Sequence, residues 1–324
     1  MDWLPTSAST FAPQVDSILW LVTIISVVSC ILVGFLLIYF VVKYRKRSDN
    51  DQTPAITHDS FLETLWTVIP TILCILIFIY GYVYYDKYTT PTKGAYEINV
   101  TAQRWSWSFA YPNGKKTFNE LYVPVNKPVR LVMQSKDVLH SFFVPAFRVK
   151  QDVIGNRYTF INFTPTKEGV FDIYCTEYCG ISHSDMLAKV HVVSDIEYAK
   201  WESGDSADVE NAYAGMAPDK IGEQLYSSKG CVACHSIDGA NGVGPSWKAL
   251  FGQEREFTDG TKEIADENYI KTSILYPVNP PQGKVVKGYA PVMPSYQGLL
   301  TDSEITAIIA VSYTHLTLPT TTIV

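Results

Sequence analysis

Two long apolar runs open the chain. Ile18 to Val42 carries no charge, and Phe61 to Tyr85 carries only Glu63, close to its start. About 20 apolar residues suffice to cross a bilayer, so each run predicts a membrane-spanning helix. Lys43, Arg45, Lys46 and Arg47 lie in the loop between them, whereas residues 1–17 have no Lys or Arg. That asymmetry puts the loop, 43–60, in the cytoplasm and both flanking segments outside. Tyr39, Tyr44, Trp66, Tyr80, Tyr82, Tyr84 and Tyr85 crowd the expected interfaces as an aromatic belt. Ser60, with Glu63 three residues on, reads as a capping box for the second helix.

From about residue 95 the period shortens to two. Tyr96–Thr101, Pro128–Gln134, Arg157–Phe163 and Met186–Val193 alternate apolar and polar residues between Pro, Gly and Asn breaks. They predict an all-β, Greek-key sandwich or barrel of about 100 residues over 95–194. Trp105, Trp107 and Phe109 would share one face of a strand, and Met133 and the last two aromatics read as core. Residues 195–218, rich in acidic residues, Ala, Ser and Gly, form a linker with a short helix at its start. Over 219–310 helical patterning resumes, ending in a second capping box, Thr301 with Glu304, ahead of Ile305, Ile308 and Ile309. The pattern then stops. Val311 to Thr320 reads like a translated transposase sequencing adapter, so 311–324 is expected to be an assembly artefact and His315 has no role.

The net charge of −6 over 324 residues, with no long basic run, excludes nucleic acid as an obvious partner. Hydrophobic residues make up 47% of the chain, and the excess lies in the two N-terminal runs. The cysteines fall into pairs of different context. Cys30 and Cys74 sit in the apolar runs, Cys175 with Cys179 and Cys231 with Cys234 in polar motifs.

Cys175-Thr-Glu177-Tyr-Cys179-Gly-Ile-Ser-His183-Ser-Asp-Met186 gathers two thiols, an imidazole and a thioether behind a strand, Phe171–Tyr174. Soft sulfur and imidazole ligands suit copper, zinc or iron. A disulfide and a structural zinc site remain alternatives, although zinc has no use for a thioether. A blue-copper site needs only one cysteine. Two cysteines, Met186 and a further histidine, His140, fit two copper ions sharing thiolates. Farther on, Cys231-Val-Ala-Cys234-His235 is the pattern that attaches a c-type haem, with two thioether bonds and one axial imidazole. Met293 is the candidate sixth ligand, since His/Met ligation raises the potential. Pro245 is expected to accept the other ring N–H of His235.

The copper string, preceded by Val138-Leu-His140-Ser-Phe142, resembles the dinuclear CuA centre of cytochrome c oxidase subunit II, and the likeness runs from the first apolar segment to about Val193. The haem half resembles class I cytochromes c, and more closely the cytochrome c domain fused to some bacterial subunits II. The resemblance implies a two-helix hairpin, a cupredoxin domain and an all-α cytochrome c domain. His140, Cys175, Cys179, His183 and Met186 would be copper ligands, with Glu177 through its backbone carbonyl. The Glu177 carboxylate would face a magnesium or manganese ion shared with subunit I. Trp105 would be the electron entry near the surface over the copper. Glu63, in Glu63–Pro70, would mark a proton-path entrance, and Asp152 and Arg157 the subunit I interface. Electrons would run from an external donor, a cytochrome c or a cytochrome bc-type complex, to haem c, then copper, then haem in subunit I. There oxygen is reduced to water with proton translocation. Subunit III and membrane lipid are further implied partners, and the bacterial inner membrane the location, with both termini and the metal domains on the periplasmic face. A nitrous-oxide-reductase type protein would lack the spans. A copper chaperone would need one span and no haem, and a quinol-oxidising relative would lack the copper ligands.

Overall fold

The structure, a computed structural model, describes residues 3–49, 57–203, 213, 215–278 and 284–314; 315–324, with His315, lie outside them. Helix α1 (Ala12–Lys43) starts earlier than the apolar run, with a proline in its first turn, where the missing N–H costs nothing. Helix α2 (Ser60–Thr89) is capped by Asp59 rather than Ser60. The Asp59 carboxylate accepts from the N–H groups of Phe61 and Leu62, both at 3.1 Å, and Ser60 turns instead to His58 at 2.7 Å. The expected box is thus shifted by one residue, because an aspartate at the N-cap out-competes a serine inside the first turn. No residue of either apolar window is buried within the chain. Helices apolar on every face need lipid around them.

Both helices meet the β domain at the same end. Ser9 Oγ donates to the Phe147 carbonyl at 2.8 Å and Arg148 Nε to Asp16 at 2.8 Å. At the end of α2, Tyr88 donates to the Lys150 carbonyl at 2.8 Å. Glu63 and the loop between the helices therefore lie at the far end of the hairpin.

The β domain has ten strands: β1 (Tyr96–Gln103), β2 (Ser106–Ala110), β3 (Lys116–Phe118), β4 (Glu120–Pro124), β5 (Val129–Ser135), β6 (His140–Val144), β7 (Val149–Val153), β8 (Thr159–Phe163), β9 (Gly169–Cys175) and β10 (Leu187–Val193). They form two five-stranded sheets, β3-β2-β1-β5-β8 and β4-β10-β9-β6-β7. Parallel pairs β1–β5 and β4–β10 carry the crossovers of the Greek key. Ile98, Leu121, Leu131, Met133, Ile161 and Ile173 fill the space between the sheets. Trp107 and Phe109 join them, as their spacing predicts, but Trp105 precedes β2 and belongs to no strand.

Helix α3 (Asp195–Ser203) begins the linker. The third domain packs α4 (Pro218–Ser228), α5 (Glu267–Leu275) and α6 (Asp302–Thr314), with a hairpin of β11 (Glu254–Glu256) and β12 (Lys262–Ile264) between them. Helices α4 and α6 touch at Gly222, where a Cβ would lie 2.0 Å from the Ala307 carbonyl oxygen. Only glycine allows that backbone approach. Thr301 and Glu304 form the predicted box, at 2.8 and 3.2 Å. Helix α6 continues through Val311 to Thr314.

Candidate metal centre and haem cavity

Strand β9 ends on Cys175, and the loop beyond it folds back so that Met186 opens onto β10. On the neighbouring strand β6, His140 stands first. The topology thus converges the soft side chains of the string with an imidazole from elsewhere in the chain. Cys175 and Cys179 are free thiols with their sulfurs 3.8 Å apart. His140 Nδ1 lies 3.9 Å from the Cys175 sulfur, and His183 Nδ1 3.5 Å from that of Cys179. Met186 Sδ stands 3.8 Å from Cys179. The Glu177 carbonyl oxygen faces Cys175 at 3.4 Å. The buried His140, Cys175 and Cys179 bring their ligand atoms within 4.8 Å of one another, with Met186 behind them and His183 and the Glu177 carbonyl half-buried beside them.

Electrostatics favour a bound cation there. The S–H of Cys179 holds the Cys175 pKa down against burial, and Cys179 is raised in turn, so the pair shares one proton. A sulfur pair carrying one negative charge, two imidazoles and a thioether match copper's softness.

Sequence reasoning missed Asp137. Its carboxylate accepts from His140 Nε2 at 2.8 Å, which leaves Nδ1 aimed at the sulfurs. The other oxygen accepts from the Arg104 N–H at 2.8 Å and from Arg104 Nε at 3.2 Å. Burial opposes the charge on both groups, but hydrogen bonds hold Asp137 below the usual carboxylate range and His140 above its ordinary value. The available signal was an acidic residue three positions before His140.

Trp105 lies on the copper loop. A Cβ on Gly180 would come within 3.0 Å of its ring, and Gly180 has φ +128°, so glycine is required twice over. Trp105 is only 7% exposed, in contrast to the surface position the resemblance implies. Its indole N–H has no partner among the described residues, and the side chain lines a cavity together with Cys231, Cys234 and His235.

A second, more apolar cavity is walled by Cys234, His235, Trp247, Ile270, Ile274 and Met293. His235 Nδ1 donates to the Pro245 carbonyl at 2.8 Å, as expected, so Nε2 is free for a metal. Gly244 makes room for the ring: a Cβ there would fall 2.6 Å from it. Burial keeps His235 neutral and pushes the Cys231 and Cys234 thiols up, to about 12 and about 11. An apolar slot with the Cys234 thiol, a fixed imidazole and the Met293 thioether in its wall, and the Cys231 thiol in the adjoining cavity, fits a haem. Met216, by contrast, lines a separate groove beside Lys220.

Three family matches tile the chain: Cytochrome C oxidase subunit II, transmembrane domain, over residues 2–83; its periplasmic domain over 115–193; and Cytochrome c over 220–310. Cytochrome c oxidase subunit 2 of Alkalihalophilus pseudofirmus is 32% identical over 85% of this chain and 81% of its own length. The chain belongs to the cytochrome c oxidase subunit II family. The Bacillus subtilis subunit 2 is 31% identical over 88% of this chain and 84% of its own. A solved periplasmic domain of subunit II from Bradyrhizobium japonicum matches 36% of this chain and 96% of that one, at 34% identity and TM-score 0.35. As a subunit II with a cytochrome c domain, the chain is a membrane protein of a haem-copper oxidase, its domains imply copper and haem, and subunit I is its partner.

Of the other expected residues, Glu63 stands apart from both centres and meets His58 Nδ1 at 2.8 Å. Asp152 accepts from Ser141 Oγ at 2.8 Å, and Arg157 is exposed. His191 is a packing residue, stacked on Tyr122 at 4.4 Å.

Proposed function

We propose that this subunit II relays electrons through a dinuclear copper centre and a covalently held haem c. The observation that carries the reading is the convergence of two sulfurs, two Nδ1 atoms, the Met186 thioether and the Glu177 carbonyl on one volume. Cys175 and Cys179 would bridge the copper ions. His140 and His183 would cap them, with Met186 and the Glu177 carbonyl as weak ligands. When bound, haem and copper supply one-electron carriers between an external donor and the haem of subunit I. The chain's own residues hold them: Asp137 orients His140, and Pro245 fixes the His235 tautomer. Cys231 and Cys234 would anchor the haem edge by thioether bonds, and Met293 would be the sixth ligand. The two packed sheets fix the copper ligands before metal arrives, which limits reorganisation on electron transfer.

The Glu177 carboxylate is assigned to a magnesium or manganese ion shared with subunit I. Exposed Tyr178 and Ile181 on the same loop support a partner face there. Asp152 and Arg157 are assigned to that interface, subunit III to the same complex, and a cytochrome c or cytochrome bc-type complex as donor. The hairpin joins the metal domains at the end opposite its basic loop, which supports a periplasmic location in a bacterial inner membrane. Residues 311–324 are read as foreign to the natural chain on their composition alone; α6 itself runs on to Thr314, with Val311 buried in the haem-domain core. Metal analysis of the purified complex tests the core assignment: this chain should account for two copper ions and one haem c, and a single copper without haem would refute it. Glu63, at the cytoplasmic end, is assigned to proton entry. Glu63→Gln should slow turnover with copper and haem contents normal, and unchanged turnover removes that role.

A further inference from the structure

The β11–β12 hairpin carries three ion pairs, and they are not equivalent. Lys262 meets Glu254 at 2.7 Å and Lys287 meets Glu256 at 2.6 Å, with the two lysine side chains 56% and 64% exposed. Such solvated pairs contribute little. Lys284 meets Glu263 at 2.6 Å but is only 28% exposed, and its ammonium stands 5.2 Å from the centre of the Phe257 ring. Among the described residues it is the one Lys or Arg that lines the apolar cavity of His235 and Met293. Its backbone is fixed there as well. The Thr258 N–H donates to the Val285 carbonyl and the Lys287 N–H to that of Glu256, both at 2.9 Å, so residues 284–287 are stitched along β11.

The two adjoining cavities share Cys234, His235 and Met293, but Cys231 lines one of them alone, and Tyr269, Ser273 and Lys284 line the other alone. Burial raises the Tyr269 pKa, against a hydrogen bond with Ser273 and the nearby Arg255 guanidinium. Arg255 Nε is itself buried, with no partner among the described residues. An unmet buried donor is costly. The end of the cavity away from Cys231 therefore offers an ammonium and a tyrosine hydroxyl, with a guanidinium N–H beside them, a donor set suited to a carboxylate. A haem held by two thioether bonds carries its two propionate carboxylates on the opposite edge, so anchorage at Cys231 and Cys234 would send them to this end.

We propose that Lys284 is the counter-charge of the haem's propionate edge: the hairpin holds it at the cavity wall, Glu263 steadies it, and its charge favours the reduced iron. This role rests on the haem assignment above. Reduction adds one negative charge to the cofactor, and a partly buried cation stabilises that charge more than a solvated one does.

Redox titration of haem c in the purified complex tests the role. Lys284→Gln should shift the reduction equilibrium about tenfold toward the oxidised form, about 59 mV for one electron. Lys284→Arg, which keeps the charge, should restore it to within about twofold. Lys287→Gln removes the same charge from a solvated pair on the same hairpin and should move it by less than about twofold. In reduced-minus-oxidised infrared spectra the haem carboxylate bands should move in Lys284→Gln and not in Lys287→Gln. Should Lys284→Gln lose its haem, Glu263→Gln carries the test: it frees the lysine for the propionate and should shift the equilibrium toward the reduced form. A shift in Lys284→Gln no larger than that in Lys287→Gln overturns the proposal, as do unmoved carboxylate bands, or an unmoved equilibrium in Glu263→Gln where that variant is the one read. Such results with a normal covalent haem leave the relay standing. Absence of covalent haem from the unaltered complex overturns the haem assignment and the role of Lys284 together.

Discussion

The copper site and the haem site are built by opposite strategies. The proposed copper ligands converge from β6, the end of β9 and the loop into β10, with neighbouring ligand atoms 3.4–3.9 Å apart. A hydrogen-bond partner, Asp137, orients one imidazole. The haem site is instead an apolar cavity whose walls come from α5, α6 and the loops after Cys234 and after α5. Sheets can fix a small ion's ligands in advance because the ion fills little space. The helical domain has a packed core of its own, with Leu225, Trp247, Ile270, Ile305 and Ile308, and leaves the gap beside His235 for the cofactor to fill.

The largest expected effect follows from that contrast. Cys231→Ala with Cys234→Ala, which removes the two proposed haem anchors, should unfold α4–α6 while the cupredoxin strands stay protected. Hydrogen exchange distinguishes the two regions, and protected helices in the haem-free variant would break the comparison. Next in size, Asp137→Asn should weaken copper retention about tenfold, the low end for losing an orienting partner of a metal ligand, without loss of fold. Chelator competition measures it. An unchanged affinity would mean that packing against Trp107, whose ring lies 6.1 Å from that of His140, orients the histidine alone.

The smallest effect concerns pH. Burial lowers the His191 pKa below 6.5, with Glu120 acting to raise it and Lys189 and Lys229 to lower it. The unfolded chain therefore takes up this proton more readily than the folded one. Cupredoxin stability should be undiminished by His191 above pH 6.5 and fall as the pH drops below that value. His191→Phe, which keeps the stack on Tyr122, should flatten that part of the melting-temperature profile. An identical profile would assign the pH sensitivity elsewhere.

Much of the site was legible because ligand chemistry is local in this chain. Four of the copper-facing side chains and the Glu177 carbonyl fall within Cys175–Met186, and the haem thiols and imidazole within Cys231–His235. The hairpin was equally plain, since a bilayer demands a length and polarity that few other elements have. Strands β3, β4, β6 and β7 escaped notice: short segments leave too few alternations to register. Asp59 displaced Ser60 as the cap because both residues suit that position and only the backbone chooses between them.

By itself, then, the sequence determined which chemistries the molecule holds and on which side of the hairpin they stand, because those depend on residue types at close spacing. Tertiary structure alone decided how the centres meet. Asp137 behind His140, Phe118 inside the neighbouring domain and Trp105 beneath the haem cavity all depend on contacts between segments far apart in the chain. No local pattern encodes such contacts, since they are selected by the packing of whole domains.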